Sequence, residues 1–150
     1  MPSIHHENSG FFQEYFANIA SAIGTFDIES LEAAAGLICL AHFKGGKSIF
    51  IGNGGSAAMA SHLSVDLTKA AGMRAINFNE ADLLTCFAND YGYENWAARA
   101  LEAYADNNDV VVLISSSGKS PNIINAVEQA RKMGLSLITL SGFKSDNPLR

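Results

Sequence analysis

Two short runs in this sequence combine glycine with amide or hydroxyl side chains in a way that suits an oxygen-rich anion. Gly52-Asn53-Gly54-Gly55-Ser56 lies between a short β-rich run and a helical stretch. Its glycines let the backbone approach a ligand closely, and the helix beyond offers free N–H groups and the positive end of a dipole. The plainer reading is a tight turn whose glycines serve backbone geometry alone. Ser115-Ser116-Ser117-Gly118-Lys119-Ser120 sets four hydroxyls at the mouth of a buried strand. Ser120 takes the N-cap position and Pro121 the first helical position, a strong helix start. Hydroxyls and free amides together can cradle a phosphate monoester dianion; the plainer reading is a cap and a few turn residues. Two such loops at neighbouring strand ends point to one extended, phosphorylated, polyhydroxy ligand.

The elements that must position these loops follow from periodicity. Phe12, Tyr15, Phe16, Ile19 and Ile23 recur at helical spacing and predict a helix over Phe11 to Ile23, with Gly24 as the stop. A second helix is predicted from Glu29 to Phe43, ended by Gly45-Gly46. Ala and Ser fill the remaining faces of these two helices, which predicts a subunit interface there. Strands are predicted at Lys47 to Ile51, Arg74 to Phe78, Asp109 to Ile114 and Leu135 to Leu140. Helices are predicted at Ala57 to Ala70, Asp82 to Asn89, Glu94 to Ala105 and Pro121 to Met133. Strands alternating with helices across short loops indicate an α/β fold with a parallel sheet, whose ligands bind beyond the carboxyl ends of the strands.

Composition narrows the function. The chain has 150 residues, 48% of them hydrophobic and 17% charged, which excludes a disordered tail. A formal charge of -5 argues against a nucleic-acid binder, and no polybasic cluster points to an anionic membrane surface. The longest apolar stretch, Ala33 to Ala41, falls far short of the roughly 20 residues a membrane span needs. The opening Met1-Pro2-Ser3-Ile4-His5-His6-Glu7 shows no signal-peptide pattern. Cys39 and Cys86 form no CxxC motif and read as two buried thiols in a reducing cytoplasm. Nucleotide patterns fit poorly. The P-loop spacing fails at Gly118-Lys119-Ser120 because position 113 is Leu, and at Gly46-Lys47-Ser48 because position 41 is Ala. Gly52 to Ala57 satisfies a loose GxGxxA pattern, but two helices precede its strand, and only Glu80 could be the acidic residue expected later.

Three segments together resemble the sugar isomerase (SIS) domain family, nearest to its phosphoheptose isomerases. They are Gly52-Asn53-Gly54-Gly55-Ser56-Ala57-Ala58 with His62 beyond it, Asn89-Asp90-Tyr91-Gly92, and Ser115 through Asn122. The resemblance covers nearly the whole chain. It implies a three-layer α/β sandwich with a central parallel sheet in a flavodoxin-like arrangement, preceded by two N-terminal helices. It implies conversion of sedoheptulose 7-phosphate to D-glycero-D-manno-heptose 7-phosphate for surface-polysaccharide (lipopolysaccharide) synthesis. Substrate contacts are implied at Asn53, Gly54, Gly55, Ser56, Asn89 and Asp90, with the phosphate at Ser115, Ser116, Ser117 and Ser120. The family often binds zinc through a histidine and a glutamate one turn apart, the glutamate doubling as acid/base. Here those positions hold His62 and Asp66, which makes both the implied metal ligands and catalytic pair.

Spacing supports that pair independently, because residues i and i+4 share a helix face and can converge on one ligand. An ordinary hydrogen-bonded pair is the plainer alternative. His5 and His6 in the N-terminal arm and His42 near a helix end are weaker candidates. Asp66 is one methylene shorter than glutamate, and misplacing a reacting group by about 1 Å can cost about 100-fold in rate. Met59 and Ser61 stand where an acidic and a larger residue are common in the family, and Lys119 stands for a frequent Asn. A further family Gln and His on a late helix would lie beyond Arg150. The expected organisation is a single domain over 1–150, truncated at its C-terminus, with a helical arm at 1–46 and an α/β core at 47–150. The expected assembly is a cytoplasmic homotetramer with its sites between subunits and a sugar phosphate as the small-molecule partner. Two other functions fit the same residues: a non-catalytic SIS module that binds a sugar phosphate for regulation or assembly, and an isomerase of another sugar phosphate.

Overall fold

The computed structural model describes residues 9–150, so His5 and His6 lie outside the described residues. Ten elements follow in the order α1 (Ser9–Ile23), α2 (Ile28–Phe43), β1 (Ser48–Gly52), α3 (Gly55–Lys69), β2 (Ala75–Asn77), α4 (Ala81–Tyr91), α5 (Trp96–Tyr104), β3 (Val110–Ser115), α6 (Pro121–Lys132) and β4 (Ser136–Ser141). The described residues divide into two compact units, one ending at Ala33 and the other Ala34–Arg150. In the first, Phe11 and Tyr15 stack one helical turn apart, with ring centroids at 6.1 Å. Asp27 opens α2 there by accepting bonds from the Ser30 hydroxyl at 2.6 Å and the Glu29 N–H at 3.1 Å. Those bonds, the Ser30 hydroxyl first, hold the Asp27 carboxyl below its usual pKa.

The second unit is built on a four-stranded parallel sheet in the order β2-β1-β3-β4. Successive side chains on a strand point to opposite faces. Ile49 and Ile51 of β1 and Val111 and Leu113 of β3 therefore enter one core, with Trp96 and Leu101 of α5 and Ile123 and Ala126 of α6. Phe50, Val110, Val112 and Ile114 enter the other core, with Ala60 of α3 and Ala41 of α2. Helices cover both faces, which is the three-layer arrangement expected. Burial on both faces is why β1 and β3 read as continuous apolar runs.

After β1 the chain passes through α3 to β2 on one side; after β3 it passes through α6 to β4 on the other. The strand order reverses between β1 and β3, and ligands of open parallel sheets bind at such a point, beyond the carboxyl ends of the strands. At the opposite end, Lys47 enters β1 buried, its Nζ 2.6 Å from Asp109 and 2.7 Å from Asp106. Asp109 also accepts the backbone N–H groups of Lys47 and Asp106, each at 2.8 Å. Burial lowers the Lys47 pKa, but its hydrogen bonds to Asp106 and Asp109 outweigh that and leave it raised.

Two expectations need correction. Cys86 is exposed, not buried, and Cys39 is only half-buried; both are free thiols. Helix α4 turns Leu83, Leu84, Phe87 and Ala88 toward the core, which leaves position 86 on the outer side. Helix α3 also starts two residues earlier than expected, so Gly55 and Ser56 belong to its first turn. No helix among the described residues is long and apolar enough to cross a membrane.

Candidate functional site

Strands β1 and β3 pair from Ser48↔Val110 through Gly52↔Ile114, so their carboxyl ends lie side by side. Each end runs into one of the loops singled out above. Gly52 ends β1 so close to the first turn of α3 that a Cβ on it would stand 2.6–2.7 Å from Ser56 backbone and Cβ atoms. Only glycine lets the helix begin there. Gly54 holds the N-cap position of α3 with no side-chain cap, and the Ser56 N–H turns back to Asn53 O at 3.0 Å. Helix N-termini carry amides without intrahelical partners, so the first turn of α3 faces the crevice with donors.

The serine loop has the same construction. Ser115 ends β3 buried, and its Oγ donates to Ser120 Oγ at 3.2 Å. Ser120 is the N-cap residue of α6 and Pro121 follows it, as expected, yet the Ser120 hydroxyl does not cap the helix. Ser117 Oγ accepts the Lys119 N–H at 3.2 Å, and Ser116 is exposed, its carbonyl taking the Gly142 N–H at 3.0 Å. Gly118 has φ +63, a left-handed conformation that favours glycine. The buried Asn147 side chain fills the space where a Cβ would stand, and it is tied to Ser141 Oγ at 3.0 Å and Lys144 O at 2.7 Å. The residues after β4 thus support the serine loop from below.

A pair of amides joins the two loops. Asn53 Nδ2 donates to Asn122 Oδ1, and Asn122 Nδ2 donates back to Asn53 Oδ1, both at 2.9 Å. The Tyr93 hydroxyl donates to the same Asn53 oxygen at 3.2 Å. Neither Asn122 nor Tyr93 is marked as a site residue by the sequence alone; their contacts with Asn53 bring them to the site. Asn89 and Asp90 end α4 exposed, bonded to each other at 2.9 Å, with the Cys86 thiol 3.7 Å from Asp90. Among the described residues, no hydrogen bond links Asn89 or Asp90 to either loop; Tyr93, just beyond α4, makes that connection.

His62 and Asp66 come together as expected, with Nε2 3.4 Å from Oδ2, but their side chains are 79% and 58% exposed. At 100° per residue, Gly55, His62 and Asp66 fall within about 40° of one another around α3, and helical side chains lean toward the N-terminus. The pair therefore stands on the stripe that begins at the glycine loop and leans back toward it. Ala60 and Ser64 occupy the opposite, buried side. Among the described residues no group of three or more His, Cys, Asp or Glu could hold a metal ion. A catalytic zinc takes three protein ligands and an open position, so His62 and Asp66 do not build a zinc site by themselves. A separate polar groove of about 370 Å³ between α5 and α6, with Arg99, Glu102, Asn125 and Lys132 among its walls, contains none of the expected site residues.

A parallel sheet with two glycine- and serine-rich loops at its switch point sets backbone amides and hydroxyls where open parallel sheets take their ligands. A family model described as the SIS domain matches residues 11–142, and the chain belongs to that family. It is 42% identical over 120 residues to a phosphoheptose isomerase of Sodalis glossinidius (strain morsitans), covering 77% of this chain and 62% of the relative. It is 41% identical over 121 residues to a phosphoheptose isomerase of Photorhabdus laumondii, covering 77% and 63%. The chain thus spans a little under two thirds of these curated relatives. Among solved structures it is similar to a phosphoheptose isomerase from Neisseria gonorrhoeae, at TM-score 0.81 and 30% identity over 91% of this chain and 74% of that one. A phosphoheptose isomerase from Francisella tularensis matches at TM-score 0.82 and 28% identity over 99% and 80%.

Proposed function

We propose that this chain is an aldose–ketose isomerase that converts sedoheptulose 7-phosphate to D-glycero-D-manno-heptose 7-phosphate, a cytoplasmic step toward surface-polysaccharide heptose. The observation that carries the reading is the juxtaposition of the Asn53–Ser56 and Ser115–Ser120 loops at one switch point, each opening a helix N-terminus. The similarity to phosphoheptose isomerases supports this substrate over other sugar phosphates. The serine hydroxyls and the first-turn amides would hold the phosphate, and Asn53 and the glycine amides the sugar oxygens. Asn89 and Asp90, beside Tyr93, would meet the far end of the ligand.

Asp66 would take the proton from the carbon beside the carbonyl, giving an enediol, and return it to the former carbonyl carbon while the hydroxyl hydrogen passes between the two oxygens. His62, at 3.4 Å, would orient the carboxylate. The zinc ion of the resemblance would need a further donor from outside the described residues, and no step here depends on it. Sites between subunits of a homotetramer fit the outer side of α3, where exposed Met59, Leu63 and Val65 flank His62 and Asp66; light scattering reports the assembly.

Proton NMR of sedoheptulose 7-phosphate with the protein in D2O tests the reaction. Deuterium at the carbon beside the carbonyl, together with aldose product, is the expected result. Asp66→Asn should keep phosphate binding and lose about 100-fold or more in turnover; retained turnover removes Asp66 as the base. The wide exposure of the His62–Asp66 pair favours one second reading, a module that binds the sugar phosphate without turnover. Saturable binding with no deuterium exchange is the signature of that reading.

A further inference from the structure

The amide pair between the loops restricts what Asn53 can offer a ligand. An amide oxygen has two lone pairs and an amide nitrogen two protons. Both lone pairs of Asn53 Oδ1 are taken, one by Asn122 Nδ2 at 2.9 Å and one by the Tyr93 hydroxyl at 3.2 Å. One of its two Nδ2 protons is given to Asn122 Oδ1 at 2.9 Å. A single N–H remains. Asn122 is 1% exposed in the first turn of α6 and cannot turn away without leaving buried polar atoms unpaired. Tyr93 is 52% exposed and closes the arrangement from the solvent side.

We propose that Asn122 and Tyr93 are positioning residues that fix the Asn53 side chain as a one-proton donor, so that it reads an acceptor oxygen of the ligand and cannot accept from a hydroxyl. This rests on the sugar-phosphate reading of the pocket. An unrestrained asparagine could present either end of its amide and would tolerate a donor or an acceptor at that position. Held from two sides, Asn53 selects a phosphate, carbonyl or ether oxygen, or a hydroxyl that points its own proton elsewhere. The same bonds tie the β1 loop to the start of α6, so the glycine amides and the serine hydroxyls keep a fixed separation.

Isothermal titration of the full chain with sedoheptulose 7-phosphate, combined with side-chain amide NMR of the free protein, tests this. Asn122→Ala should weaken binding about tenfold or more, and Tyr93→Phe, at an exposed position, by a few-fold with an unchanged melting temperature. Once Asn53 is alanine, neither substitution should cost anything further, because each acts through Asn53. A general structural role for Asn122 would instead add its full loss in the Asn53→Ala background, and that result overturns the proposal. In the free protein, both substitutions should move the Asn53 Nδ2 resonances; resonances that ignore both overturn the positioning role alone. Unaltered protein that binds no sugar phosphate overturns the pocket reading and, with it, the assigned ligand.

Discussion

The two central strands are joined at both ends by side chains, but with opposite chemistry. At the amino end, Lys47 is buried against Asp109, which collects three donors, and Asp106 adds a second carboxylate at the rim. At the carboxyl end, Asn53 and Asn122 exchange two neutral hydrogen bonds, and the surrounding loops carry glycine and serine. A fixed charge pair suits a permanent closure, because each ion is satisfied from within the protein. An uncharged closure suits a binding edge, because helix N-termini and hydroxyls keep their capacity for an incoming dianion. On the proposed function, the difference separates holding the sheet together from holding a ligand.

The sharpest way to break this contrast is Asp109→Ala. It leaves the Lys47 ammonium short of its buried partner and two backbone N–H groups without an acceptor, so it should cost about 3–5 kcal/mol in urea unfolding. The protein that remains folded should bind sugar phosphate normally; a cost below about 1 kcal/mol would make the amino-end closure dispensable. Gly52→Ala acts at the other end. The added methyl meets Ser56, and overpacking of this kind costs about 1–3 kcal/mol. It should also abolish ligand binding at concentrations that saturate the unaltered chain, since the first turn of α3 must move.

Acidity distinguishes the two ends further. The Lys47 pKa is raised, so its contribution to stability is complete below the ordinary lysine value of 10.5 and is lost as pH rises through the raised value. Asp106 is held below its ordinary 3.8, by the hydrogen bond from Lys47 first, so its contribution is present above 3.8 and is lost as pH falls through the lowered value. Urea midpoints recorded against pH should show both limbs, and Asp106→Asn should flatten the acid one only slightly, because that carboxylate is largely exposed. The Asn53–Asn122 pair itself carries no titrating group, so its amide resonances should stay constant along the acid limb while the protein remains folded.

What the sequence disclosed divides along similar lines. Both glycine- and serine-rich loops are legible because those runs directly follow apolar strands, and the strand and helix order carries the sheet. Features that depend on pairing across the fold were hidden. Asn122 meets Asn53 across 69 residues and Tyr93 meets it across 40, and nothing local in either segment announces the other. Lys47 and Asp109 did leave a trace, since each is a charge at the head of an otherwise apolar run. Cys86 misled because it lies between core residues in sequence while its helix turns it outward. Helix α3 begins earlier than its sequence indicates, because the close approach at Gly52 and the turn at Gly54 override the low helix propensity of a glycine pair.

The β1–β3 pairing also has a kinetic consequence. The ion pair at one end spans 62 residues and the amide pair at the other spans 69, so both close the same long crossover. Contacts so distant in sequence form slowly compared with helices, which are complete within microseconds. During refolding, the far-ultraviolet signal of the helices should therefore return well before the protein can take up its ligand. On the proposed function, a newly made chain should therefore complete its binding edge last.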